Sequence, residues 1–125
     1  MRHQRHYTLD EARAMLPWVR KKLVALKDAR ARLTDEEARK ALTDGSPTNG
    51  GGHRGKQVGE AFVELQHGVA AFDRHGIVLR DLDTGLIDFP AIRDGEEVYL
   101  CWIEGEADIT HWHGLDAGFG GREPL

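Results

Sequence analysis

The chain has 125 residues, enough to bury one hydrophobic core but not two. Apolar residues make up 40% and charged residues 30% of it, the balance of a folded domain rather than a disordered one. A formal charge of -4 excludes a general phosphate-backbone binder, which needs a basic excess to displace counterions, so no nucleic-acid partner is expected.

In chain order, residues 1–10 are polar where a secretory leader needs an apolar run. His3 and His6 are read as part of a disordered leader. Thr8-Leu9-Asp10-Glu11 is a capping box, in which the Thr8 hydroxyl accepts from the Glu11 amide while the Glu11 carboxylate reaches back. It opens a helix expected over 8–43. Leu9, Ala12, Leu16, Val19, Leu23, Leu26 and Leu33 follow the three-four spacing of an apolar stripe, with Arg30 in the remaining seam position. Pro17 lacks an amide donor and disfavours helical geometry at Leu16, which predicts a kink or a short leading helix.

Residues 44–55 are mostly turn formers and read as a flexible Gly-rich loop. Neither a preceding strand nor a Gly-Lys-Ser/Thr ending supports a phosphate loop there. A second helix is expected over 56–75, its stripe formed by Val58, Phe62, Leu65, Val69 and Phe72 and its stop by Gly76. Two facing stripes make an antiparallel helical hairpin.

The pattern then changes to short β-type runs over 77–113, an antiparallel meander of three to four strands, followed by a tail over 114–125. Asp94-Gly95 sets one hairpin register, opposing Arg93 to Glu96, Ala91 to Val98, Phe89 to Leu100 and Ile87 to Trp102. A second two-residue turn at Gly105-Glu106 would oppose Glu104 to Ala107, Trp102 to Ile109, Leu100 to His111 and Val98 to His113. Strand alternation then gives a core face of Ile87, Phe89, Val98, Leu100, Trp102 and Ile109, packed on the helices. The opposite face would carry Asp88, Pro90, Tyr99, Cys101, Thr110 and Trp112, an exposed aromatic patch that predicts a homodimer or another protein partner. The fold class is α+β in a single domain.

Tyr7-Thr8-Leu9-Asp10-Glu11-Ala12, Leu16-Pro17, Gly85-Leu86-Ile87-Asp88-Phe89-Pro90, Val98-Tyr99-Leu100-Cys101-Trp102, Gly105-Glu106, Trp112-His113 and the segment from Gly118-Phe119 to Gly121-Arg122 resemble the bacterial proteins grouped as domain of unknown function 2203. The resemblance covers nearly the whole chain and implies no particular activity. It departs at Gly114, where the family pattern has an acidic or polar residue.

His111-Trp112-His113 puts two imidazoles on one side of a strand, about 6.5–7 Å apart at the backbone, a spacing that can converge on a metal. Asp116 or Glu104 could complete a nitrogen and oxygen set suited to zinc, iron or manganese. The competing reading has one imidazole capping the core edge and the other in solvent. Cys101 should face Asp88 across the first hairpin, with Thr110 on its other side, and a neighbouring carboxylate discourages a thiolate nucleophile. Glu64 and His67 have the spacing of a helical ligand pair but lack converging carboxylates, and a solvated face is expected. Arg122 after its glycines could hold an anionic ligand or clamp the tail on Asp88 or Glu104.

Trp102 is assigned to the core, and Trp112 to an interface or a stacked ligand. Two function classes follow. The first is a non-enzymatic, homodimeric interaction module using Asp88, Tyr99, Cys101, Trp112 and Arg122. The second is a metal-dependent enzyme or sensor built on His111 and His113. The lone cysteine, the missing leader and the absence of any run near the roughly 20 apolar residues of a membrane span point by exclusion to the cytoplasm, without a membrane partner.

Overall fold

The computed structural model describes residues 1–34 and 52–125. Helix α1 spans Leu9–Thr34 and α2 spans Gly52–Arg74; strands follow at Val78–Asp81 (β1), Leu86–Arg93 (β2), Glu96–Ile103 (β3), His111–Gly114 (β4) and Glu123–Pro124 (β5), with a 3-10 turn at Phe119–Gly121 before the last. The α+β expectation holds. The sheet has five antiparallel strands in the order β1-β2-β3-β4-β5, one more than the meander foreseen, because residues 123–124 return beside β4.

The capping box forms as expected: the Thr8 amide donates to Glu11 Oε1 at 2.9 Å and the Glu11 amide donates to Thr8 Oγ1 at 3.1 Å. Helix α1 then runs continuously through Pro17, whose ring lies on the exposed side, so no separate leading helix exists. Ala12, Leu16, Val19, Leu23, Leu26 and Ala29 form its buried stripe. The expected continuation to residue 43 and the loop over 44–51 lie outside the described residues. Gly52–Gly55, read as loop, are instead the first turn of α2.

The helices pair in antiparallel fashion, with Trp18 against Phe72 and Arg32 bonded to Glu64. The seam of α2 is rotated from the expected stripe. Val58, Ala61 and Phe72 are buried and Leu65 partly so, while Phe62 and Val69 are half exposed. Gly68 supplies the reason: a Cβ there would lie 2.3 Å from Leu26 Cδ2, so the helices approach over small residues and not over Phe62 and Val69. Helix α2 ends in a Schellman motif at Gly76 (φ 67°), the Ile77 amide reaching the Phe72 carbonyl and the Gly76 amide the Asp73 carbonyl, both at 3.0 Å.

The Asp94-Gly95 turn has φ of 52° and 79° at its two residues, and all four expected pairs across β2 and β3 are present. Ile87, Phe89, Val98, Leu100 and Trp102 face the helices and pack with Leu16, Val19, Leu23 and Phe72. Tyr7 joins this core, its ring 5.3 Å from Phe89 and its hydroxyl donating to the His75 carbonyl at 2.5 Å.

The second register is off by one residue. Val98 opposes Gly114, Tyr99 opposes His113, Leu100 opposes Trp112 and Cys101 opposes His111. Residues 104–110 form a longer connection in place of a two-residue turn. The Glu106 carboxylate accepts from the Ile103 amide at 2.9 Å and the Glu106 amide donates to the Ile103 carbonyl at 3.0 Å, a local closure that ends β3 before any strand can restart. A slip of one moves every β4 side chain to the other face.

Candidate functional site

The slip places His113 on the sheet face that also carries Asp88, Tyr99 and Cys101, the face turned away from the helices. Strand β2 brings Asp88 and β3 brings Cys101 as direct partners, and β4 adds His113 opposite Tyr99, two residues along on the same face. One carboxylate oxygen, the Cys101 sulfur and one His113 nitrogen all lie within 4.8 Å of one another. The three residues are 2%, 0% and 1% exposed.

Each outer atom is held. His113 Nδ1 lies 2.7 Å from the Gly114 carbonyl, which can only accept, so that nitrogen carries a hydrogen and Nε2 is directed at Asp88 Oδ1, 2.9 Å away. Arg80 Nε donates to Asp88 Oδ2 at 2.9 Å. The Arg80 guanidinium also lies 4.9 Å over the Tyr99 ring, and the Tyr99 and His113 rings are 5.4 Å apart. Burial pushes the Cys101 thiol up to about 12, and the nearby Asp88 carboxylate adds to the shift. A nucleophilic thiolate is therefore disfavoured, in line with the sequence expectation.

The two-histidine metal site foreseen from the sequence is not brought together in that form. His111 lies on the same face, opposite Cys101, with Nδ1 2.9 Å from Thr110 Oγ1, but stays outside the cluster among the described residues. Asp116 is exposed and accepts from Arg2, while Glu104 is paired with Lys27. Of the four proposed ligands only His113 joins the cluster, and Asp88 and Cys101 take the other places. Thr110 does not flank Cys101, since His111 stands there.

The outer face is not an exposed aromatic patch. Tyr99 is 2% exposed under His3 and Arg80, and Trp112 has turned to the inner face, where it packs on the core beneath the Arg93 guanidinium at 4.8 Å. The surface that motivated the homodimer expectation is thus covered. Arg122 is a clamp, but on Glu106, which accepts its Nη2 through both oxygens at 3.0 and 2.8 Å, and not on Asp88 or Glu104. Glu64 is engaged by Arg32 and His67 is exposed.

His3 and His6 are ordered, contrary to the disordered leader expected. The amides of Arg2 and His3 donate to Glu97 at 2.7 and 3.0 Å, His6 Nε2 is 2.6 Å from the same carboxylate, and His3 Nε2 is 2.5 Å from the Tyr99 hydroxyl. Burial raises the Glu97 carboxyl, but the bonds from His6 and the two amides outweigh it and hold the group at about 2, below its ordinary 4.5. A depressed folded value means that this contribution is complete above about 4.5 and lost as the pH falls towards 2. Protection of the Arg2 and His3 amides relative to the free-peptide rate at the same pH should accordingly fall over that window, and Glu97→Gln should flatten the acid dependence. Unchanged protection at pH 2 would show that other contacts hold the segment.

A family model described as uncharacterized conserved protein (DUF2203) matches residues 5–125. The chain belongs to the DUF2203 family. No curated protein and no solved structure matches the chain. In this DUF2203 protein Asp88, Cys101 and His113 all lie within the matched residues. Gly114 offers His113 its backbone carbonyl. Sequence reasoning missed Arg80 as a partner of Asp88. Among the described residues, no helix is long and apolar enough to cross a membrane.

Proposed function

We propose that this DUF2203 protein is a metal-binding protein in which Asp88, Cys101 and His113 take one divalent transition ion, zinc foremost. The observation that carries the reading is that three ligand atoms of suitable type converge while the remaining polar atoms of Asp88 and His113 are held by Arg80 and the Gly114 carbonyl. Such outer-shell bonds orient ligands and set the tautomer in metal sites. A tetrahedral ion needs nitrogen and oxygen ligands about 3.3 Å apart, so the 2.9 Å contact between His113 and Asp88 has only to open slightly.

Three protein ligands leave the fourth tetrahedral position open, but the burial of Asp88, Cys101 and His113 keeps substrate away from it, which favours a sensing ion over a catalytic one.

Zinc and cobalt titrations of chelator-treated protein, with elemental analysis of protein purified without chelator, test this. One ion per chain is expected, with a thiolate-to-cobalt charge-transfer band in the near ultraviolet. Cys101→Ser and His113→Ala should lose the band and the tight binding, whereas His111→Ala and Asp116→Ala should keep both. No ion bound by folded wild type, or full affinity in folded Cys101→Ser, would overturn the assignment.

A further inference from the structure

Two cavities of about 270 Å³ each meet between the N-terminal segment and the end of α2, sharing His3, Asp73 and Gly76. One is walled by Arg2, Arg5 and Arg74; the other by Val69, Phe72, Ile77 and Leu79. A charged compartment thus opens directly onto an apolar one.

The charges on its walls can be assigned. Arg2 is engaged by Asp116. Among the described residues, no carboxylate lies within ion-pair distance of Arg5 or Arg74. Burial lowers the affinity of His3 for a proton, so it adds no charge near neutrality. With Asp73 in the same wall, the compartment carries one net positive charge in a chain whose total is -4. That matches a monoanion better than a dianion.

Arg5 is fixed in place. Its guanidinium sits 4.4 Å over the Tyr7 ring, and its stem rests on Gly76, where a Cβ would stand 3.2 Å from Arg5 Cβ. The last carbonyls of α2 are turned onto the amides of His75, Gly76 and Ile77, which reduces the opposition of the helix's negative end to an anion. Val69 is 49% exposed on the apolar wall, a surface that a hydrocarbon chain would cover.

We propose that this groove binds a small amphipathic monoanion, a medium-chain carboxylate, with its head between Arg5 and Arg74 and its chain over Val69, Phe72 and Leu79. The site is separate from the Asp88, Cys101 and His113 cluster, so either proposal can fail without the other. Calorimetric titration of the full chain with octanoate, kept below its micelle concentration, tests it against acetate, which has the head alone, and octanol, which has the chain alone.

Octanoate should bind one per chain, at least about tenfold more tightly than either control. Arg5→Gln and Arg74→Gln should each weaken it several-fold, and Val69→Asp should abolish it; all three positions are exposed, so the variants should fold, as circular dichroism will check. No octanoate binding by wild type, acetate binding as tightly as octanoate, or unchanged affinity in folded Arg5→Gln and Arg74→Gln would overturn the proposal.

Discussion

Trp102→Ala should lower the stability of the domain by about 3–5 kcal/mol, the range for truncating a buried aromatic. Trp102 is fully buried near the C-terminal end of β3, opposite Ile87, and its indole Nε1 donates to the Glu106 carbonyl at 3.0 Å. The change removes the ring from the core and also leaves that carbonyl with only the longer bond from Arg20 Nη2, at 3.4 Å. Domains of this kind are stable by about 5–15 kcal/mol in total, so the variant should sit near the limit of folding. Trp102→Phe restores most of the volume but not the donor, and should cost about 1–2 kcal/mol. Urea denaturation of both variants separates packing from the hydrogen bond. A loss under about 1.5 kcal/mol for the alanine variant would mean that the core closes over the gap.

The elements legible in the sequence are those whose signals are local. The capping box at Thr8 and Glu11, the Gly76 stop and the Asp94-Gly95 turn each fix their geometry within a few residues, and each is found in place. The buried seam of α2 differs from the expected stripe, which places the large apolar residues Phe62 and Val69 at the interface. What decides that seam is Gly68, whose missing Cβ lets Leu26 in, and the signal of a small residue at an interface is weaker than that of Phe62. The N-terminal segment was illegible for a different reason. Its order depends on Glu97, some 94 positions away, and no local pattern announces such a contact.

The site was half legible for the same physical reason. The facing of Asp88 and Cys101 follows from the first turn, but a thiol read as an interface group or a nucleophile is not read as a ligand, and for a nucleophile the carboxylate is an obstacle. For a metal ligand the same carboxylate is an ally. A tight turn at Gly105-Glu106 would put His113 on the core face, whereas the observed register puts it on the outer one. Glu106 uses its carboxylate on the Ile103 amide and on Arg122, which makes the connection a longer closed loop and shifts β4 by one. A single residue of slip thus separates two edge histidines from a buried three-residue cluster.

Asp88→Ala should destabilise the metal-free protein by about 3 kcal/mol. Removing one partner of a buried ion pair costs roughly 3–5 kcal/mol, because the remaining group is left without a partner in a dry site. The lower end applies here, since the Arg80 side chain is 41% exposed and can turn to water, whereas His113 is 1% exposed and cannot. Arg80→Ala should therefore cost clearly less than Asp88→Ala. The double variant Asp88→Ala with His113→Ala should cost less than the sum of its singles, because it leaves neither group orphaned. Denaturation with chelator and with excess zinc then divides the structural role from the ligand role. Zinc that binds only the folded state raises wild-type stability by about 2.7 kcal/mol at a hundredfold excess over its dissociation constant. If Asp88 is a ligand, that increment should shrink in Asp88→Ala as well as in Cys101→Ser. An increment that survives in Asp88→Ala but not in Cys101→Ser would assign the carboxylate to positioning His113 and Arg80, and the ion to the thiol and imidazole.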